Sequence, residues 1–127
     1  MKMKTLLSLM CVLTSMLTLS NNAHAEERIT LGRTILLENA SHGADIPLLV
    51  CRRVNAIKLK PDRDAYVRKV KVTFKNDETK TINFYRNIKE DTTTDWRKFA
   101  YKRCVKKLEV FGESKNSSAG IRVYGRQ

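Results

Sequence analysis

Between Tyr66 and Lys75 the chain alternates in a way that only one kind of backbone can use. Val70, Val72 and Phe74 fall on one side, and Lys69, Lys71, Thr73 and Lys75 fall on the other. A repeat of two residues matches an extended strand with one face in an apolar core and the other in water. Asn76-Asp77 supplies turn residues, and the alternation resumes from Thr79 to Arg86, with Ile82 and Phe84 opposed to Thr81, Asn83 and Tyr85. The two runs predict a β-hairpin.

The rest of the chain repeats this theme. Ile29 to Leu37 predicts a strand with a bulge at Gly32. Pro47 to Val54 carries Leu48, Val50 and Cys51, Val54 to Lys60 carries Ile57 and Leu59, and Pro61-Asp62 ends that run. Cys104 to Phe111 predicts a strand with Leu108 and Val110 inward, and Val105 breaks its alternation as a bulge would. Leu108 to Glu113 and Ile121 to Arg126 share one pattern: apolar, charged, Val, aromatic, Gly, charged. Separated by a Ser-, Asn- and Gly-rich loop, they predict a final antiparallel pair. Only Thr94 to Lys102 has helical potential, with Trp96 and Phe99 three apart and Asp95 able to cap a turn. The expected fold is therefore all-β: a small antiparallel β-sandwich or small barrel of seven to eight strands, with at most one short helix.

A different pattern precedes it. Lys2 and Lys4, an apolar run from Leu6 to Leu19, and Ala23-His24-Ala25 before Glu26-Glu27 have the form of a cleaved signal peptide. Residues 1–25 are expected to be removed, leaving 26–127 as one domain that is periplasmic or secreted. No second apolar run approaches the roughly 20 residues of a membrane helix. The full chain has 25 Lys and Arg against 13 Asp and Glu, and the leader holds two of the bases and none of the acids, which leaves +10. Cleavage also discards Cys11, and Cys51 and Cys104 remain. In an oxidising compartment two such cysteines pair. The bridge closes a loop of about 54 residues, worth roughly 4 kcal/mol in the chain-entropy estimate.

Outward positions of the predicted strands are rich in cations. Lys58, Lys60, Lys69, Lys71, Lys75, Lys107 and Arg122 would form a positive face if their strands are neighbours. Such a face suits an anionic polysaccharide, lipopolysaccharide or lipid headgroups. Nucleic acid is not expected, since no nucleic-acid-binding motif accompanies the charge and an exported protein rarely meets one. Lysines on strand faces also serve as solvated positions that block edge-to-edge aggregation. Thr93, Thr94, Asp95 and Trp96 form a polar stretch ending in the sole tryptophan, either a rim for another envelope protein or a structural corner. Glu90, Asp91 and Asp95 lie close in sequence, but their spacing matches no EF-hand, and no metal site is expected. His42 alone remains after cleavage. A hydrolase would have to combine it with Asp62, Asp64, Glu90 or Asp95, and no pair among them is placed by spacing. Neither catalytic residues nor a cofactor are expected.

Several short stretches are familiar together: Leu49-Val50-Cys51-Arg52, Ile57-Lys58-Leu59, Ile88-Lys89-Glu90, Thr93-Thr94-Asp95-Trp96, Lys102-Arg103-Cys104-Val105 and Asn116-Ser117-Ser118. In this order, from Leu48 to Ser118, they resemble the YaaI-like (UPF0412) family of bacterial periplasmic proteins of unknown function. Both cysteines fall at matching places, while the segment before Leu48 and the chain end match poorly. The resemblance supports export and a disulfide and implies no activity. The expectation is an exported, non-enzymatic binding module. Its alternative is a protein-interaction module, an assembly factor or an inhibitor of another exported protein, using the Thr93–Trp96 loop or a strand edge.

Overall fold

The computed structural model describes residues 28–39 and 41–127. The expected leader and its cleavage site lie outside them. The described chain is all-β, without a helix: β1 (Arg28–Leu37), β2 (Ala44–Pro61), β3 (Ala65–Phe74), β4 (Thr79–Ile88), β5 (Arg97–Ser114) and β6 (Ser118–Arg126). All six belong to one antiparallel sheet in the order β1-β6-β2-β5-β3-β4. There are six strands rather than seven to eight, because two long ones absorb what the sequence divides. Pro47–Val54 and Val54–Lys60 are a single strand, and the stretch with helical potential supplies the first residues of β5.

The predicted hairpin is β3 and β4, with Val70 opposite Ile82 and Asp77 at the turn in a left-handed conformation (φ 71°). Near its far end Tyr85 also has a positive φ, where the register between Val67 and Lys69 slips. The predicted bulge at Gly32 is present, since the β1–β6 register shifts between Thr30 and Gly32. So is the one near Val105: Thr73 faces Lys107 and Phe74 faces Val105, which leaves Lys106 over. The final pair is a correction. β5 and β6 do not pair with each other, because β2 lies between them and hydrogen-bonds to both. Their shared pattern reflects the same alternation against the same core, not mutual pairing.

The sheet coils until its apolar face closes on itself. Val54, Ile57 and Leu59 of β2, Val70 and Val72 of β3, Val105, Leu108 and Val110 of β5, and Ile121 and Val123 of β6 are all fully buried. Phe74 and Phe99 meet edge to face with ring centres 5.4 Å apart. Two corners run side by side to hold the coil. The Asp62 amide donates to the Gly120 carbonyl (2.9 Å), and the Lys115 amide donates to the Asp64 carbonyl (3.1 Å). The β4–β5 connection then lies along the end of β2: the Asp91 amide donates to Pro61 O (2.8 Å) and the Thr94 amide to Leu59 O (2.9 Å). β1 and β4 remain the edges of the sheet.

Cys51 and Cys104 are disulfide-bonded, with Cα atoms 5.3 Å apart. The bridge sits at an interruption of the β2–β5 ladder. Pro47 faces Lys107 and Arg52 faces Val105, so residues 48–51 stand opposite Lys106 alone. Leu48 packs against the core, but Val50, an expected strand position, is turned out and 74% exposed.

Candidate functional site

The coil divides the seven expected cations into three groups. Lys69, Lys71 and Lys107 lie on β3 and β5, interleaved with acids. Lys71 is opposite Glu109, Lys107 reaches Asp45 (3.7 Å), and Lys69 lies 5.0 Å over the Phe111 ring. Neighbouring Arg68 reaches Glu113 (3.6 Å). This half of the surface is close to balanced. Lys75 lies at the β3–β4 turn, its amide donating to Cys104 O (2.9 Å).

The third group is different. Arg122 of β6 is directly opposite Lys60 of β2 on one side and Arg33 of β1 on the other. Three cations therefore form one row across three adjacent strands. Lys60 and Arg122 point outward because they alternate with Leu59, Ile121 and Val123, all fully buried. Arg33 does so because of the bulge. Ile29 and Leu31 face the core before it, and Thr34 and Leu36 face the core after it. One extra residue reverses the phase of the strand and brings Arg33 outward.

Asp62 anchors the end of the row. Its Oδ2 accepts from Arg33 Nη2 (2.7 Å), and its Oδ1 accepts from the Gly120 amide (2.7 Å). Gly120 lacks the Cβ that would occupy the place of the Arg33–Asp62 pair. The Arg33 hydrogen bond, followed by that of Gly120, holds the Asp62 carboxyl below its ordinary range. Arg33, Lys60, Asp62, Asp91 and Arg122 line a depression of about 330 Å³ here. Among the described residues, Lys60 and Arg122 have no ion-pair partner.

The same face continues along the strands. Lys58 is opposite Tyr124, and Arg126 is opposite Arg28. Trp96 packs there half-buried, with Lys58 Nζ 4.3 Å and the Arg126 guanidinium 5.3 Å from the ring centre. Arg28 covers the Tyr124 ring at 4.4 Å. Six cations thus share this face: Arg28, Arg33, Lys58, Lys60, Arg122 and Arg126. Sequence reasoning missed three of them. Arg33 needed the bulge phase, and Arg28 and Arg126 sit at strand ends, where alternation carries little information.

Within the expected loop, Thr93 is exposed and Thr94 is buried. Thr94 Oγ1 accepts from the Leu59 amide (3.0 Å), and so acts as a length of strand beside β2. Asp95 bridges Arg97 (3.3 Å) and Arg86 (3.5 Å). Arg97 in turn stacks 4.7 Å over Phe84 and donates to Asn83 O (2.9 Å), tying the start of β5 to β4. The segment makes a corner of the fold, and Trp96 delivers it onto the cationic face.

Asp64 Oδ1 accepts from the Glu90 amide (2.8 Å), whereas His42 lies in the β1–β2 connection. Among the described residues no three His, Cys, Asp or Glu side chains gather as metal ligands, and no helix is long and apolar enough to cross a membrane.

The family model described as a domain of unknown function (DUF2541) matches residues 9–125. The chain is 31% identical to UPF0412 protein YaaI of Escherichia coli O1:K1 / APEC over 132 residues, covering 97% of this chain and 98% of that protein. It is 32% identical, over the same shares, to the proteins of that name from Escherichia coli O127:H6 and Salmonella newport (strain SL254). The similarity extends beyond Leu48–Ser118 to both ends of the chain. No solved structure matches.

Proposed function

This chain belongs to the DUF2541 family, a domain of unknown function, and from that premise we propose that it is a non-enzymatic binding module for an anionic ligand. The ligand class is a phosphate-, sulfate- or carboxylate-bearing envelope or extracellular component, such as an acidic polysaccharide or the phosphorylated sugar of lipopolysaccharide. The protein itself is exported and works in the periplasm or outside the cell. One observation carries the reading: Arg33, Arg122 and Lys60 are cross-strand neighbours, and among the described residues only Arg33 of the three is paired with a carboxylate. Like charges directly opposite one another destabilise a sheet. An anion seated between Lys60 and Arg122 removes that repulsion, and Asp62 holds Arg33 in place beside it. The half-buried Trp96 ring, beside Lys58 and Arg126, extends the face.

Heparin and lipopolysaccharide binding over a salt series tests this. Lys60→Gln with Arg122→Gln is expected to weaken binding about tenfold at low salt, and Lys69→Gln with Lys71→Gln to change it less than about twofold. Asp62→Asn, which removes a competing negative charge, is expected to raise the salt needed for elution. Equal losses from both cation pairs, or retention indifferent to salt, would sink the proposal.

The alternative, a module that contacts another exported protein, draws on β1. It is an edge strand with Ile35 52% and Leu37 58% exposed. Capture of one envelope protein that survives high salt and is lost in Ile35→Lys, or in Trp96→Ala, would favour it over the cationic face.

A further inference from the structure

The interruption of the β2–β5 ladder thrusts the most exposed apolar side chains among the described residues into solvent. Leu49 is fully exposed and Val50 is 74% exposed. A loop of this kind ordinarily turns polar residues outward. Here the bulge is held rigidly at its base. Cys51 is bonded to Cys104, and the Cys104 carbonyl accepts the Lys75 amide, so β2, β5 and β3 are all tied to it. The disulfide fixes an apolar protrusion in place.

Its surroundings are cationic and aromatic. Arg52 and Arg53 follow directly, both exposed, and Tyr101 (62% exposed), Lys102 and Lys75 border the other side of the bridge. Among the described residues, Arg52, Arg53, Lys75 and Lys102 take part in no ion pair. The nearby acids are engaged by two other cations: Glu78 contacts Arg103, and Asp77 contacts Lys106, the residue opposite 48–51. The result is an exposed apolar tip with two cations following it in sequence and two more across the disulfide, none of them in an ion pair among the described residues.

We propose that the Leu49–Val50 tip inserts into the surface of an anionic lipid bilayer while Arg52, Arg53, Lys75 and Lys102 engage the headgroups. Apolar side chains flanked by bases are the composition that partitions to such an interface, and a protruding tip suits a fluid medium that closes around it. A second copy of the chain would set the same four cations against themselves. A soluble polyanion would leave the two aliphatic side chains in water. The proposal is independent of the Arg33–Arg122–Lys60 row, which lies on β1, β6 and the distal end of β2.

Co-sedimentation of the protein with vesicles of phosphatidylglycerol and phosphatidylcholine, with pure phosphatidylcholine vesicles as control, tests it. The protein is expected to pellet with the anionic vesicles. Leu49→Ser with Val50→Ser should bind about tenfold less, with circular dichroism and the disulfide unchanged because both side chains are already in water. Arg52→Gln with Arg53→Gln should remove the preference for anionic vesicles, and Lys60→Gln with Arg122→Gln should change vesicle binding less than about twofold. Three results would overturn the proposal: no binding to anionic vesicles, equal binding by the Leu49/Val50 variant, or a dimer in solution dissolved by that variant without vesicle binding.

Discussion

Thr94 illustrates how a polar residue can be structural where its sequence context suggests a surface role. It lies in Thr92-Thr93-Thr94-Asp95, a run that reads as a solvated loop, yet its side chain is buried. Its amide and hydroxyl both bond Leu59, the first to the carbonyl and the second from the amide. Removing the hydroxyl strands a buried N–H, whose desolvation is costly. Thr94→Val should therefore lower the unfolding free energy by about 1–3 kcal/mol in urea titration, and Thr94→Ser should recover most of it. A Val variant as stable as the wild type would return the segment to the status of a loose rim. Asp62 is a contrasting case. It is half-exposed, its carboxyl is held below the ordinary value by Arg33 and Gly120, and its part in stability is small. That part is complete above the ordinary carboxylate range and is lost as pH falls through the lowered folded value.

At the level of strands, bulges decide which side chains meet. The Gly32 bulge brings Arg33 into the cationic row, and a second slip, between Val67 and Lys69, does comparable work on β3. Ala65 and Val67 face the core before it and Val70, Val72 and Phe74 after it, with Arg68 as the extra residue. Gly112 sits across from this slip, and a Cβ there would run into the Tyr66 carbonyl, a backbone atom that cannot swing aside. Gly112→Ala should cost about 1–3 kcal/mol by overpacking, read as a lower midpoint in chemical denaturation. A loss under about 0.5 kcal/mol would mean that the bulge can migrate along β3. Alternation read from sequence locates a strand but assumes one phase throughout. It therefore finds Lys60 and Arg122 and overlooks Arg33.

For the molecule as a whole, the disulfide and the coil of the sheet act together. The bridge joins residues 53 apart, and reducing it or replacing both cysteines with Ala should cost about 4 kcal/mol, seen as a drop in the guanidinium midpoint on adding reductant. An unchanged midpoint would mean that residual structure already restrains the unfolded chain. The all-β class, the hairpin, two of the bulges and the cysteine pair were legible in the chain because each depends on neighbours in sequence or on simple counting. Period two follows from strand geometry, and turn chemistry from a few residues with unusual backbone preferences. The order of strands has no such local signature. Insertion of β2 between β5 and β6 separated two look-alike segments and split seven alternating cations among a balanced face, a turn and a cationic face. Alternation assigns a residue to a face, whereas an electrostatic site depends on which faces touch, and that is settled by long-range packing of a core that many orders of strands could bury equally well.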